Sequence, residues 1–225
     1  MKKALIVLAL ITLVPVVGWK LMYPTFTYRY RLTIEAEVDG QVRQGSSVIE
    51  VSFQKNPAIA QIPWSPRMVG QAAAVDLGSK GVLVWLPGGG KNVSAPFLFL
   101  RAYPRYQSRP ASFPPDRAGL REVAATPLHT FLQAGNLPGF AWLPDRNDRT
   151  SAKPVYPKQL PWDVAPEIRI LSVQIEKTDA PLTRNLAQLL PWLPARYEYE
   201  RKTIEMTQYG VFHFNAHSVT SGVEP

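Results

Sequence analysis

Thirteen consecutive residues alternate between apolar and polar side chains. Phe26, Tyr28, Tyr30, Leu32, Ile34, Ala36 and Val38 interleave with Thr27, Arg29, Arg31, Thr33, Glu35 and Glu37. A period of two over that length is the pattern of a half-buried β-strand and excludes a helix, whose period is 3.6. Asp39-Gly40 follows at once and is a favoured two-residue hairpin turn, because both central positions need positive φ. With the turn there, Phe26 faces Phe53, Tyr28 faces Val51, Tyr30 faces Ile49 and Val38 faces Gln41. Arg29 falls opposite Glu50. A slip of one residue would break every one of these agreements.

The rest of the chain extends this β-rich beginning. Ala73, Val75 and Leu77 lead through Gly78-Ser79-Lys80-Gly81 to Val82–Leu86, a second hairpin over 72–86 whose return strand is apolar on both faces and so belongs inside. Residues 95–103 read as another apolar strand, with Pro96 near its start. The segment 104–127 holds five prolines and reads as a long loop with one helical turn near Ala118–Ala125. A second Pro-rich loop is expected over 136–166. Glu167–Lys177 is a strand whose apolar phase changes from Ile168 and Ile170 to Leu171, Val173 and Ile175, which predicts a bulge near Leu171. Asp179 and Pro181 open a predicted helix lined by Leu182, Leu186, Leu189, Leu190 and Leu193. Residues 197–207 and 209–219 alternate as a closing hairpin. The expected fold class is α+β and β-rich: an N-terminal transmembrane helix, then one antiparallel-sheet domain of about six to eight strands with one or two short helices and long Pro-rich loops.

The first 23 residues are a segment of their own. Lys2 and Lys3 precede an apolar run from Ala4 to Trp19, followed by Lys20 and Tyr23. Residues 4–23 suit a single span with Trp19 and Tyr23 at the interface and Lys20 snorkelling. A cleaved signal peptide is the competing reading, with Pro15 breaking the helix before Val16-Val17-Gly18. Either way residues 24–225 form a domain exported to the periplasm of a bacterium, and the uncleaved inner-membrane anchor is the favoured form.

Composition closes off several chemistries. The chain has no cysteine, which removes disulfides, thiolate metal sites, cysteine nucleophiles and an N-terminal lipidated cysteine. Hydrophobic residues make up 46% of it, too many for a disordered chain. Twenty-two prolines argue against a mainly helical protein. No catalytic constellation fills the space left. Pro87-Gly88-Gly89-Gly90-Lys91-Asn92 lacks the first glycine and the Ser or Thr of a phosphate loop. His213 and His217 sit four apart on an alternating strand, about 13 Å from each other, too far to share a metal. His129 stands alone. Ser46 and Ser47 lack a nucleophile elbow, and Ser47 points inward in the hairpin register. Glu198 and Glu200 lie beside Arg196, Arg201 and Lys202 and read as a solvated strand. No cofactor, metal site or catalytic residue is expected.

Two residue groups remain as candidate contact sites. Trp64, Trp142, Trp162 and Trp192 each neighbour a proline, either as lids over the core or as aromatic platforms for a glycan or peptide. Arg101, Arg105, Arg109, Arg117 and Arg121 concentrate positive charge, with Tyr103, Tyr106 and Phe113 among them. The formal net charge is +8, of which Lys2, Lys3 and Lys20 belong to the anchor. Behind an export signal anionic lipid or envelope polymer is a more accessible partner for those arginines than nucleic acid, and a merely soluble basic loop is the favoured reading.

Four blocks, Phe26–Glu35 (FTYRYRLTIE), Gly45–Val51 (GSSVIEV), Ala74–Gly78 (AVDLG) and Glu176–Leu193 (EKTDAPLTRNLAQLLPWL), resemble a family of uncharacterised proteobacterial proteins that are membrane-anchored or exported. The resemblance is scattered over about half the chain. It implies a bacterial origin and transfers no site residue. The expected function is an anchored, non-enzymatic envelope accessory or interaction protein, with the membrane and another envelope protein as partners. A ligand-binding module built on tryptophans is the alternative, and a cryptic hydrolase the third reading.

Overall fold

A computed structural model describes residues 18–60, 62–87, 95–107, 115–193 and 220–221. Its foundation is the hairpin. Strand β1 (Thr25–Val38) pairs with β2 (Gln41–Lys55) in the register expected, from Phe26 opposite Phe53 to Val38 opposite Gln41. Asp39 (φ 51°) and Gly40 (φ 76°) form the turn. The even-numbered residues from Tyr28 to Val38 are all buried. Arg29 reaches Glu50 across the other face at 3.0 Å.

β3 (Trp64–Gln71) continues the sheet beyond β2, and β10 (Ile168–Lys177) extends it beyond β1. Beside β10 lie β6 (His129–Phe131) and β9 (Trp162–Ala165). β11 (Thr220–Ser221) pairs with β3 at the opposite edge, giving an antiparallel sheet of seven strands among the described residues. Opposite Glu35 and Ala36 the partners jump from Ser172 to Ile170. Leu171 is therefore the extra residue of a bulge, and the buried side of β10 changes phase across it, as its sequence indicates.

The second sheet runs β4 (Ala74–Asp76), β5 (Val82–Trp85), β7 (Phe140–Leu143), β8 (Lys153–Val155). Every residue of β5 is buried. Leu83 and Trp85 join the main core, while Val82 and Val84 join a smaller cluster with Leu186, Leu190 and Leu193. The sheets approach closely where β2 meets β4: a Cβ on Gly45 would lie 1.8 Å from the Ala74 carbonyl oxygen. Phe99 lies between the sheets, stacked on Tyr30 at 4.2 Å and edge-on to Trp85 at 6.3 Å.

Three expectations need correction. Residues 95–103 are not a strand: α1 (Ala95–Arg101) is a helix whose Leu98, Phe99 and Leu100 are buried. An unbroken apolar run carries no period, and a proline suits a first helical turn as well as a strand start. The described parts of the Pro-rich stretches hold more secondary structure than loops. The first contains α2 (Pro104–Gln107), a helix not expected there, while the helical turn expected near Ala118–Ala125 is present as α3 (Arg117–Ala125), capped by Asp116 through Gly119 N–H at 2.6 Å. The second contains β7, β8 and β9. Finally, no helix starts at Asp179. Thr183 is held to β2 instead, its N–H donating to Val48 O at 3.1 Å and its hydroxyl accepting from Val48 N–H at 2.9 Å. The helix shrinks to α4 (Leu186–Leu189), and Gln71 Oε1 accepts from its first N–H at 2.9 Å. The expected hairpin over 197–219, with His213, His217, Glu198 and Glu200, lies outside the described residues, as does the glycine run at 88–90.

Candidate functional site

The start of β1 and the loop between β2 and β3 lie at one end of the large sheet. Residues 18–22 are helical, and Tyr23 N–H donates to Trp19 O at 2.8 Å. Trp19, Leu21 and Met22 are 60, 65 and 62% exposed. The Trp19 and Tyr23 rings lie 4.5 Å apart. Next to this turn, Lys55 N–H donates to Pro24 O at 3.0 Å. The loop that follows is closed by Asn56, whose N–H donates to Pro63 O at 2.9 Å and whose side-chain amide donates to Ile62 O at 2.7 Å and Ser65 Oγ at 2.8 Å. At its tip Ile59 is 96% exposed, and Ile62 62%. Trp19, Leu21, Met22, Ile59 and Ile62 are thus large apolar side chains left uncovered at this end of the sheet. Among the described residues no helix is long and apolar enough to cross a membrane. The apolar stretch 4–17 itself lies outside the described residues.

The opposite end of the hairpin is rich in charged side chains, with Val42 exposed among them. A depression of about 270 Å³ is lined by Glu37, Asp39, Asp163, Glu167 and Arg169. Lys80 bridges Glu167 and Asp39, and its ammonium is pushed up chiefly by the hydrogen bond to Glu167. Arg169 pairs with Asp163 at 2.6 Å. Lys80 and Arg169 thus pair with three of the four carboxylates, Asp39, Glu167 and Asp163. Among the described residues no group of three or more His, Asp or Glu side chains is placed to hold a metal ion.

The four tryptophans are spread over the domain. Trp64 opens β3, is buried, and packs against Phe26 at 5.7 Å between ring centres. Trp142, on β7, is half-buried. Its indole N–H donates to Lys80 O at 2.9 Å, and Lys153 Nζ sits 5.1 Å from its ring centre. Trp162, on β9, packs against the main core, and Trp192 against the smaller cluster. None of the four lines the depression at the hairpin end.

Three of the arginines, Arg105, Arg117 and Arg121, lie on or against α3. Arg105 lies between Asp116 at 3.1 Å and Glu122 at 3.2 Å, and these carboxylates raise its pKa, the Asp116 hydrogen bond most. Arg117 and Arg121 are exposed one turn apart on the same helix face. Arg101 is half-buried at the end of α1, and Arg109 lies outside the described residues. Lys177 closes α3 from β10, donating to Val123 O at 2.9 Å. Burial pulls its pKa down, with Asp179 opposing. Beneath these helices Tyr28, Tyr30, Tyr103 and Tyr106 are buried together, and burial raises the hydroxyl pKa values of Tyr28, Tyr30 and Tyr103. His129 is exposed on β6, its ring against the Gln174 amide. Ser47 is buried, as its register requires, and donates to Gln71 O at 2.7 Å.

Sequence reading by catalytic and aromatic motifs passes over Ile59 and Ile62. Their signal is the segment 56–63, bounded by prolines and free of charge, where a strand-to-strand connection is ordinarily polar. No protein-family model matches the chain, and comparison with curated proteins and with solved structures gives no match either.

Proposed function

We propose that the chain is a membrane-anchored envelope protein. Residues 4–23 span the inner membrane of a bacterium once, and residues 24–225 form a β-rich periplasmic domain that acts as a non-enzymatic accessory or interaction module. One observation carries this reading. The apolar sequence from Ala4 runs into the helical turn 18–22, whose Trp19, Leu21 and Met22 are left exposed by the domain. An apolar sequence that enters the domain through a turn with Trp19, Leu21 and Met22 exposed is best accommodated by lipid. Trp19, Lys20 and Tyr23 are the residue types that favour the membrane–water boundary.

The reading is tested by membrane fractionation followed by N-terminal sequencing. Retention in a carbonate-washed membrane pellet, with the sequence starting at or next to Met1, supports the uncleaved anchor. A soluble chain starting after Gly18 would replace the anchor by a signal peptide. Co-purification from the same membranes identifies the envelope protein expected as partner.

A further inference from the structure

We propose that the loop between β2 and β3 is a second membrane contact, with Ile59 and Ile62 dipping into the periplasmic leaflet beside the anchor. This rests on the reading of residues 4–23 as a membrane span. Given that span, the hydrogen bond from Lys55 N–H to Pro24 O places the root of the loop directly at the point where the chain leaves the bilayer. The loop tip then has the lipid surface as its nearest apolar phase, and Ile59 at 96% exposure has no cover in the domain.

The loop is built to be presented. Asn56 satisfies the carbonyls of Ile62 and Pro63, and Ala60 N–H donates to Pro57 O at 2.9 Å. Backbone groups paired within the loop lower the cost of bringing it against hydrocarbon. Charge is complementary as well. Segments 18–24 and 55–67 contain Lys20, Lys55 and Arg67 and no Asp or Glu. The carboxylates further along the strands, Glu50 and Glu176, are paired with Arg29 and Arg31. Basic side chains flanking apolar ones match an anionic headgroup layer over hydrocarbon. Anchor and loop together would fix the domain with its large sheet standing on the membrane by this end.

The absence of cysteine makes the test direct. Single variants Ile59→Cys, Ile62→Cys and, as the distal reference, Val42→Cys are made in the full chain and spin-labelled. They are then placed in nanodiscs of phosphatidylethanolamine and phosphatidylglycerol. Val42 is 63% exposed and pairs with Glu37 near the far hairpin turn. Labels at 59 and 62 should collide with dissolved oxygen and be several-fold less accessible than the label at 42 to a water-soluble nickel complex. Chain that enters the discs with labels at 59 and 62 as water-accessible as at 42 would overturn the loop contact and leave the anchor standing. Chain that stays out of the disc fraction would overturn both.

Discussion

The amide of Lys55 and the carbonyl of Pro24 are joined by a 3.0 Å hydrogen bond, which ties the end of β2 to the residue before β1. From that point β1 runs 14 residues to the Asp39–Gly40 turn, about 45 Å at the usual rise of a strand. The molecule thereby has two chemically different ends on one strand. One exposes Trp19, Leu21, Met22, Ile59 and Ile62. The other holds Glu37, Asp39, Asp163 and Glu167 with Lys80 and Arg169.

Gly45 permits the close approach of the two sheets. An added Cβ would fall 1.8 Å from Ala74 O and 2.5 Å from Ala74 C, and backbone cannot yield as a side-chain tip does. Gly45→Ala should therefore lower stability by about 2 kcal/mol or more. Urea unfolding of the two proteins measures it, and an unchanged midpoint would contradict the close packing of β2 on β4.

Tyr28 offers the opposite case. Its hydroxyl is buried and has no hydrogen-bond partner among the described residues. Burying a hydroxyl unpaired carries a cost. Tyr28→Phe should leave the fold intact and raise stability by about 1 kcal/mol. Thermal unfolding tests this, and a clear loss of stability would mean that the hydroxyl is bonded.

The hairpin was readable because two independent signals agree on it, a period of two from Phe26 to Val38 and a turn dipeptide that fixes the register. The Leu171 bulge was readable for the same kind of reason, since the apolar phase of β10 changes across it. Helix α1 was not, because a run such as Phe97-Leu98-Phe99-Leu100 has no polar face to reveal a period. Strands β7 and β8 have four and three residues, shorter than a periodic pattern needs, and prolines surround them. The Asp179–Pro181 start looked like a helix, but Val48 of β2 takes the Thr183 backbone, a long-range bond that local spacing does not reveal. The exposed isoleucines were equally hidden, because exposure is set by what the rest of the chain leaves uncovered.

Asp76 sets a pH dependence. Burial raises its carboxyl pKa, but hydrogen bonds from Arg146 and the Gly78 N–H and the charges of Arg146 and Arg43 outweigh this and hold it below the ordinary 3.8. A lowered carboxylate contributes stability that is fully present above the unfolded value and is lost as pH falls through the folded one. The Arg146–Asp76 pair, at 2.7 Å, is partly exposed and screened by solvent, so Asp76→Asn should cost about 1 kcal/mol at neutral pH. The difference between the two proteins should shrink as pH drops below 3.8. Urea unfolding at a series of pH values tests this, and a difference constant down to the acid limit would contradict the charge-based clamp.

Protease accessibility in intact spheroplasts tests the proposed anchoring most directly. With the full chain in the inner membrane and residues 24–225 outside it, added protease should digest the domain without lysis and leave a cytoplasmic marker intact. A domain that resists protease until the spheroplasts are lysed would place it on the cytoplasmic side and contradict the proposed topology.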